Sequence, residues 1–304
     1  MEAIQKNTVI LSVLFCISVI IPSTFAYGDT KVIQEKSFPT SAGKQLKIET
    51  SSGDIEVTTW DKNEVYVKIW GNKKAEEKMR FSFENRDGNI EIYGKKSGSS
   101  FFGWNNNINV KYEVKVPRRF YPSLKTSGGN ISVINLKGNP YFRTSGGDIH
   151  VDKVEGDING ETSGGNINIG QVKGNTKLST SGGEIHAKWF EGNLDVHTSG
   201  GNISIAGQNG RVNANTSGGD VKLFYQGQNK GITLETSGGN IGIFLPADFG
   251  ANAHLSTSGG DISCELNTSN VVKITSSKFE ANLNNGGAEL IARTSGGDVR
   301  VKKK

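Results

Sequence analysis

The residues whose types suit catalysis or metal binding are few: His150, His186, His197, His254, Cys264, and one acidic or amide position that recurs along the chain. A zinc site needs about four of the first five to converge on one point. His150 and His186 occupy the same place in two units of a repeat, two steps apart. At the advance of stacked strands that is about 9.6 Å, too far for one ion. His197 falls on the opposite face, and all four histidines take outward, solvated positions, while Cys264 points inward alone. The recurring position reads Asn130, Asp148, Asn166, Glu184, Asn202, Asp220, Asn240, Asp261. Calcium-binding rolls repeat about every nine residues and supply several carboxylates per ion; half of these residues are neutral amides. Alternating amide with acid keeps like charges from stacking and lets the side chains bond turn backbone. Cleavage of a glycosidic bond needs two carboxyl groups on one face, and Glu161, Asp195 and Glu191 fall in different columns. No nucleophile elbow, Walker loop or dinucleotide fingerprint occurs. The expectation is no catalytic residue, no metal ligand and no cofactor.

What positions these residues is a strict beat. "TSGGNI" at Thr126 returns as "TSGGDI" or a close variant at Thr144, Thr162, Thr180, Thr198 and Thr216, each step eighteen residues. Apolar residues sit two apart after each glycine pair, as in Ile131/Val133 and Ile203/Ile205, and again before the next Thr, as in Leu194/Val196. That is strand alternation, with no helical spacing. A unit of two short strands cannot bury its own apolar face, but a stack of units can. The fold class expected is all-β, a parallel β-solenoid of ~18-residue two-strand coils, each lying about 4.8 Å from the next. Parity turns the Thr inward, bonded to backbone or to the Thr above, and the glycines supply the positive φ of a sharp corner. The outward columns mix Arg, Glu, Ser and His, which excludes a flat ice-binding Thr face.

The beat continues beyond Thr216 with changes. Thr236 and Thr257 open coils after insertions at "YQGQNKG" and "LPADFG", which should bulge from corners. A degenerate copy is expected from Thr275, and Thr294 opens a last half-coil whose "VRVKKK" would blunt an exposed edge. Upstream, "LKIETSSGDIEV" is the same unit with one glycine lost. Between residues 60 and 125 the beat breaks: a strand "EVYVKIW", a helical turn "KKAEEKM", a hairpin turning at Asp87-Gly88, and a strand ended by Pro117. These form an N-terminal β cap. A loop at 95–107 carries Phe101, Phe102 and Trp104, which either fold back onto the cap core or meet a partner, a glycan or a membrane surface.

The first residues are not part of this fold. The apolar run 9–21 follows Lys6, leads into "PSTFA" and is too short to span a bilayer, the layout of a secretory signal peptide cleaved after Ala26. Phe15 is too bulky for a lipoprotein signal at Cys16. The remaining chain keeps one cysteine and therefore no internal disulfide. The organisation expected is a signal peptide at 1–26, cap and first coils at 27–125 and repeats at 126–304, the last two continuous. The net charge of +5 is mild and spread out; it predicts solubility and a weak pull toward anionic envelope polymers, and no nucleic-acid partner. No transmembrane segment is expected after Ala26.

A signal peptide, then "LKIETSSGDIEV", a strand ending "VKVP" and serial "SGGNI/SGGDI" coils together resemble the bacterial candidate-adhesin family of β-strand-repeat proteins with SGG-type coils, a domain of unknown function. The resemblance spans roughly residues 31–304. It implies a β-solenoid, an envelope or surface location and no catalytic residues to carry over. The functional expectation is an exported, non-enzymatic binding, adhesion or scaffold module, periplasmic or at the cell surface, whose partner is an envelope protein or polysaccharide. One alternative is a carbohydrate-active or metal-dependent β-helix with its site in the cap or in loop 95–107, and another is an envelope-stress sensing domain.

Overall fold

The computed structural model describes residues 29–97 and 107–304. The expected signal peptide with Cys16, and the aromatic trio Phe101, Phe102 and Trp104, lie outside the described residues.

Alternation does the folding work. In the unit opened by Thr180, Ile185, Ala187 and Phe190 point inward from one strand and Leu194 and Val196 from the next, all at most 2% exposed. Each coil gives one strand to each of two sheets, and each sheet holds fourteen strands. Coils stack in phase: Ile149 pairs with Ile167, Ile167 with Ile185, Ile185 with Ile203 and Ile203 with Val221. Apolar burial stabilises by about 25 cal/mol per Å², so the coil gains its stability from its neighbours.

The Thr corner explains the repeated tetrapeptide. Thr144 Oγ1 donates to the carbonyl of Gly129 at 2.8 Å and accepts from the N–H of Gly147 at 3.3 Å. The same pair of bonds recurs at Thr162, Thr180 and Thr198. The inward Thr is therefore a satisfied buried hydroxyl that couples two coils. The glycines act differently from expectation. In the regular coils positive φ belongs to the other corner, at Gly138, Gly156, Gly174 and Gly192, while at a Thr corner Gly53 of the early coil has it. At the Thr corner the second glycine is needed for closeness, because a Cβ on Gly165 would overlap the carbonyl oxygen of Gly147. A Cβ on the first glycine, as at Gly146, would meet nothing. Beside this runs a ladder: Asn130 Oδ1 accepts the main-chain N–H of Asp148 at 2.8 Å, and Asp148 Oδ1 that of Asn166 at 2.7 Å. These side chains bond the next coil's turn.

At the N-terminal end the early coil is flanked by later ones. Its strand Asp54–Trp60 lies between Val110–Pro117 and Ile131–Ile134, and its strand Gln45–Thr50 between Asn89–Lys96 and Tyr121–Thr126. Antiparallel strands then close the end: Lys31–Pro39 and Glu64–Gly71 on one sheet, Met79–Arg86 on the other. The hairpin turns at Asp87 and Gly88, both at positive φ. The expected helical turn is the helix Lys73–Lys78, capped by Asn72.

At the other end stacking order departs from sequence order. The strand Val299–Lys303 is interior, paired with Ile241–Leu245 on one side and Ile262–Cys264 on the other. Glu289–Arg293 likewise sits between Ile232–Glu235 and Ala251–Ser256. The terminal lysines therefore do not guard an edge. Nor is the unit at Thr275 a coil: Lys278–Leu283 runs antiparallel to Ala251–Ser256 and to Thr268–Ile274. Its physical reason is readable at the corner, where Lys278 stands in place of the second glycine, and stacking at that spacing leaves no room there for a Cβ. The insertions do bulge from corners as expected, at 227–231 and 246–250.

Candidate functional site

The outward face of the first sheet carries a depression. Its near wall is the row His150, Asn168, His186, in register on three successive strands. Beyond that row the alternation slips. Two residues, not one, separate consecutive inward side chains: Val151 and Val154, Ile169 and Val172, Ala187 and Phe190. In the next coil the inward residues Ile205 and Gly207 return to a spacing of two, and the pairing register shifts between Ala187 and Phe190. A bulge of this kind re-aims side chains and is common beside binding sites. Here it leaves Trp189 half exposed, paired across to Gln171.

Between the histidine row and Trp189 the floor is Ile169 and Gly170, and the rim is Asp152, Lys153, Gln171 and Lys188. The hollow encloses about 560 Å³ and is open to solvent. Gly170 permits the arrangement, since a Cβ there would overlap the Asp152 carboxylate, whose Oδ1 accepts the Gln171 N–H at 3.2 Å. Lys153 takes the left-handed conformation, φ 54°, that turns the chain at the rim. One indole, two imidazoles, an amide pair, a carboxylate and two ammonium groups thus face one shallow space. Such a set suits a small ring with an apolar face for the indole and hydroxyls for the polar wall.

A larger hollow of about 750 Å³ lies on the second sheet among Asp157, Asn175, Lys177, Asn193, Asp195, Arg211 and Asn213. Several of its polar groups are committed to the stack: Asp157 Oδ1 accepts from Asn175 N–H, Asn193 Oδ1 from Arg211 N–H and Asp195 Oδ1 from Asn213 Nδ2. It also has no aromatic lining. The Trp189 depression is the better candidate.

The structure brings His150 and His186 onto one wall, separated by Asn168. His197 lies on the other sheet, and His254 pairs with Glu289 at 3.0 Å. Cys264 is a half-buried free thiol whose pKa burial pushes up. Among the described residues no three of His, Cys, Asp and Glu come together as a metal site. Trp189 is the residue that reading the beat alone passes over. Its signal is the apolar spacing of three, an outward aromatic where the repeat otherwise puts polar residues.

A family model described as Toastrack DUF4097 matches residues 43–302. The chain belongs to the Toastrack DUF4097 family. This agrees with the resemblance carried by the SGG coils and with a parallel-rich β-solenoid; both Toastrack sheets are open, with edge strands at each end. None of the curated proteins matches the chain. Solved structures that resemble it include a candidate adhesin from Bacteroides fragilis, with 12% identity and TM-score 0.47 over 90% of this chain and 97% of that one. A candidate adhesin from Parabacteroides distasonis has 14% identity and TM-score 0.40 over 91% and 98%. A candidate lipid-binding protein, also from Parabacteroides distasonis, has 17% identity and TM-score 0.41 over 91% and 98%. Among the described residues of this Toastrack chain, no helix is long and apolar enough to cross a membrane.

Proposed function

We propose that this chain is an exported, non-enzymatic binding module of the cell envelope, periplasmic or at the surface, and that the Trp189 depression holds a sugar ring of an envelope polysaccharide. The observation that carries the reading is the bulge that stands Trp189 opposite the His150–Asn168–His186 row over a glycine floor. An indole beside amides, a carboxylate and ammonium groups matches a ring with one apolar face and a hydroxyl perimeter. Each coil advances about 4.8 Å, so a glycan laid along the solenoid would meet a new row of side chains at every coil. Export rests on the apolar run 9–21 and the cleavage expected after Ala26.

The test is titration of isolated envelope polysaccharide into the protein by calorimetry. Trp189→Ala should weaken binding at least about tenfold, the order expected when an aromatic anchor is removed, while the melting temperature stays close to native. Asn168→Ala should weaken it less. Equal binding by native protein and Trp189→Ala would dismiss the site. N-terminal sequencing of protein recovered from the envelope tests export, with a start at Tyr27 expected.

A further inference from the structure

The second sheet ends in the strand Thr268–Ile274, which has a partner on one side only, and every residue of it is exposed. Val271 is 53% exposed, Val272 79% and Ile274 52%, and these are the large apolar side chains left in water among the described residues. The exposure of Val271 and Val272 has a local cause, while Ile274 stands in register with Phe279 on the open edge. Ser269 pairs with Asn282 and Lys273 with Glu280, so residues 270–272 stand opposite Ala281 alone. The surplus is thrown outward as a bulge, begun by Asn270 in the left-handed conformation, φ 47°. The result is an apolar tip at the end of the solenoid.

We infer that this tip is a membrane-docking element that inserts Val271, Val272 and Ile274 into the interface of an anionic lipid bilayer. Three features favour a bilayer over a protein. A second strand could add to this edge only along an unbroken row of N–H and C=O groups, and the bulge breaks that row. Three side chains cannot supply the roughly 800 Å² per partner that a stable protein interface buries, whereas a bilayer requires no matching contour. The charge also fits: residues 266–279 contain Lys273 and Lys278 and no carboxylate. The flanking acids are Glu265 and Glu280; Glu280 stands opposite Lys273 and pairs with Lys278 at 2.8 Å, which leaves one net positive charge over residues 266–280. Lysines flanking a small apolar tip match anionic headgroups above an acyl layer. Binding by so small an element is weak, reversible and salt-sensitive. This inference does not depend on the Trp189 depression, which lies on the other sheet.

The experiment is co-sedimentation of the protein from Tyr27 to Lys304 with phosphatidylcholine vesicles, with and without about one third phosphatidylglycerol. Native protein should pellet with the anionic vesicles, several-fold less with the neutral ones, and less again at high salt. The double variant Val271→Asp/Val272→Asp should lose at least about tenfold in partitioning, and Val271→Leu/Val272→Leu should match or exceed native. Both substitutions are at exposed positions, so unchanged melting temperatures check that the fold is intact. Absence of native binding, equal binding by native and aspartate proteins, or indifference to lipid charge would overturn the inference. So would a concentration-dependent dimer that the aspartate variant abolishes without any vesicle binding.

Discussion

Thr176 and Thr180 are both buried, four residues apart, and their hydroxyls do opposite things. Thr180 Oγ1 donates to Gly165 O and accepts from Gly183 N–H. Thr176 takes a place held by Ile158 and Leu194 in the adjoining coils, and its Oγ1 has no partner. Replacing each by Val keeps shape and removes the hydroxyl. Thr176→Val should be neutral or stabilising by up to about 1 kcal/mol, while Thr180→Val should cost about 1–3 kcal/mol because a buried carbonyl and N–H lose their partner. Urea denaturation measures both. A second pair separates the two corner glycines. Gly165→Ala should destabilise by about 1–3 kcal/mol through overpacking against Gly147 O, and Gly164→Ala should stay within about 0.5 kcal/mol. If the two alanine variants melt alike, closeness is not what these glycines provide.

Within elements, the side-chain ladder has one irregular rung. Glu184 is longer than its neighbours and accepts from the Asn202 side-chain amide at 2.9 Å, where shorter residues take the next main-chain N–H. Glu184→Asn should restore the regular bond and raise stability by about 0.5–1 kcal/mol; a loss would argue that the longer bond is equivalent. In the cap, Lys111 bonds Glu56 at 2.8 Å and Glu113 at 2.9 Å, and Trp70 Nε1–H donates to Glu113 at 2.8 Å. Partial burial pulls the Glu113 pKa upward, but the bonds from Lys111 and Trp70 outweigh it and hold the carboxyl below its ordinary value. A lowered folded pKa stabilises fully above the unfolded value of about 4.3 and loses that contribution as pH falls through the folded value. Below about pH 4 the cap should therefore loosen, reported by Trp emission and melting temperature, and Glu113→Gln should flatten that pH dependence. Strand positions, the cap hairpin at Asp87-Gly88 and the inward Thr were legible because period-two burial and turn chemistry act locally. The bulge behind Trp189 was legible in principle, through the Ala187-to-Phe190 spacing, but a regular motif draws attention to its own columns.

At the scale of the molecule, stacking order was not legible, because an eighteen-residue beat says which residues meet a neighbouring coil and not which coil is the neighbour. Thr236 couples back to Gly219, as the beat requires, but Thr294 couples to Gly239 and Thr257 to Gly297. Only the missing second glycine, at Lys278, hints that the chain leaves the stack there. The strands Ala251–Ser256 and Ile262–Cys264 reach the main stack through Glu289–Arg293 and Val299–Lys303. Hydrogen exchange should show amides of all four strands opening as one cooperative unit, with a free energy distinct from that of the coils between Thr126 and Thr216. Independent opening of 251–264 would contradict this dependence.

The regular coils between Thr126 and Thr236 can grow by accretion, each new coil landing on one already made. The C-terminal end cannot. Its inner coil is the later one in sequence and must wedge between two earlier strands in both sheets, which act as the jaws of a clamp until residues 289–303 emerge. Until then that end is an unlatched mouth of sticky strand edges, and closing it is a single late event.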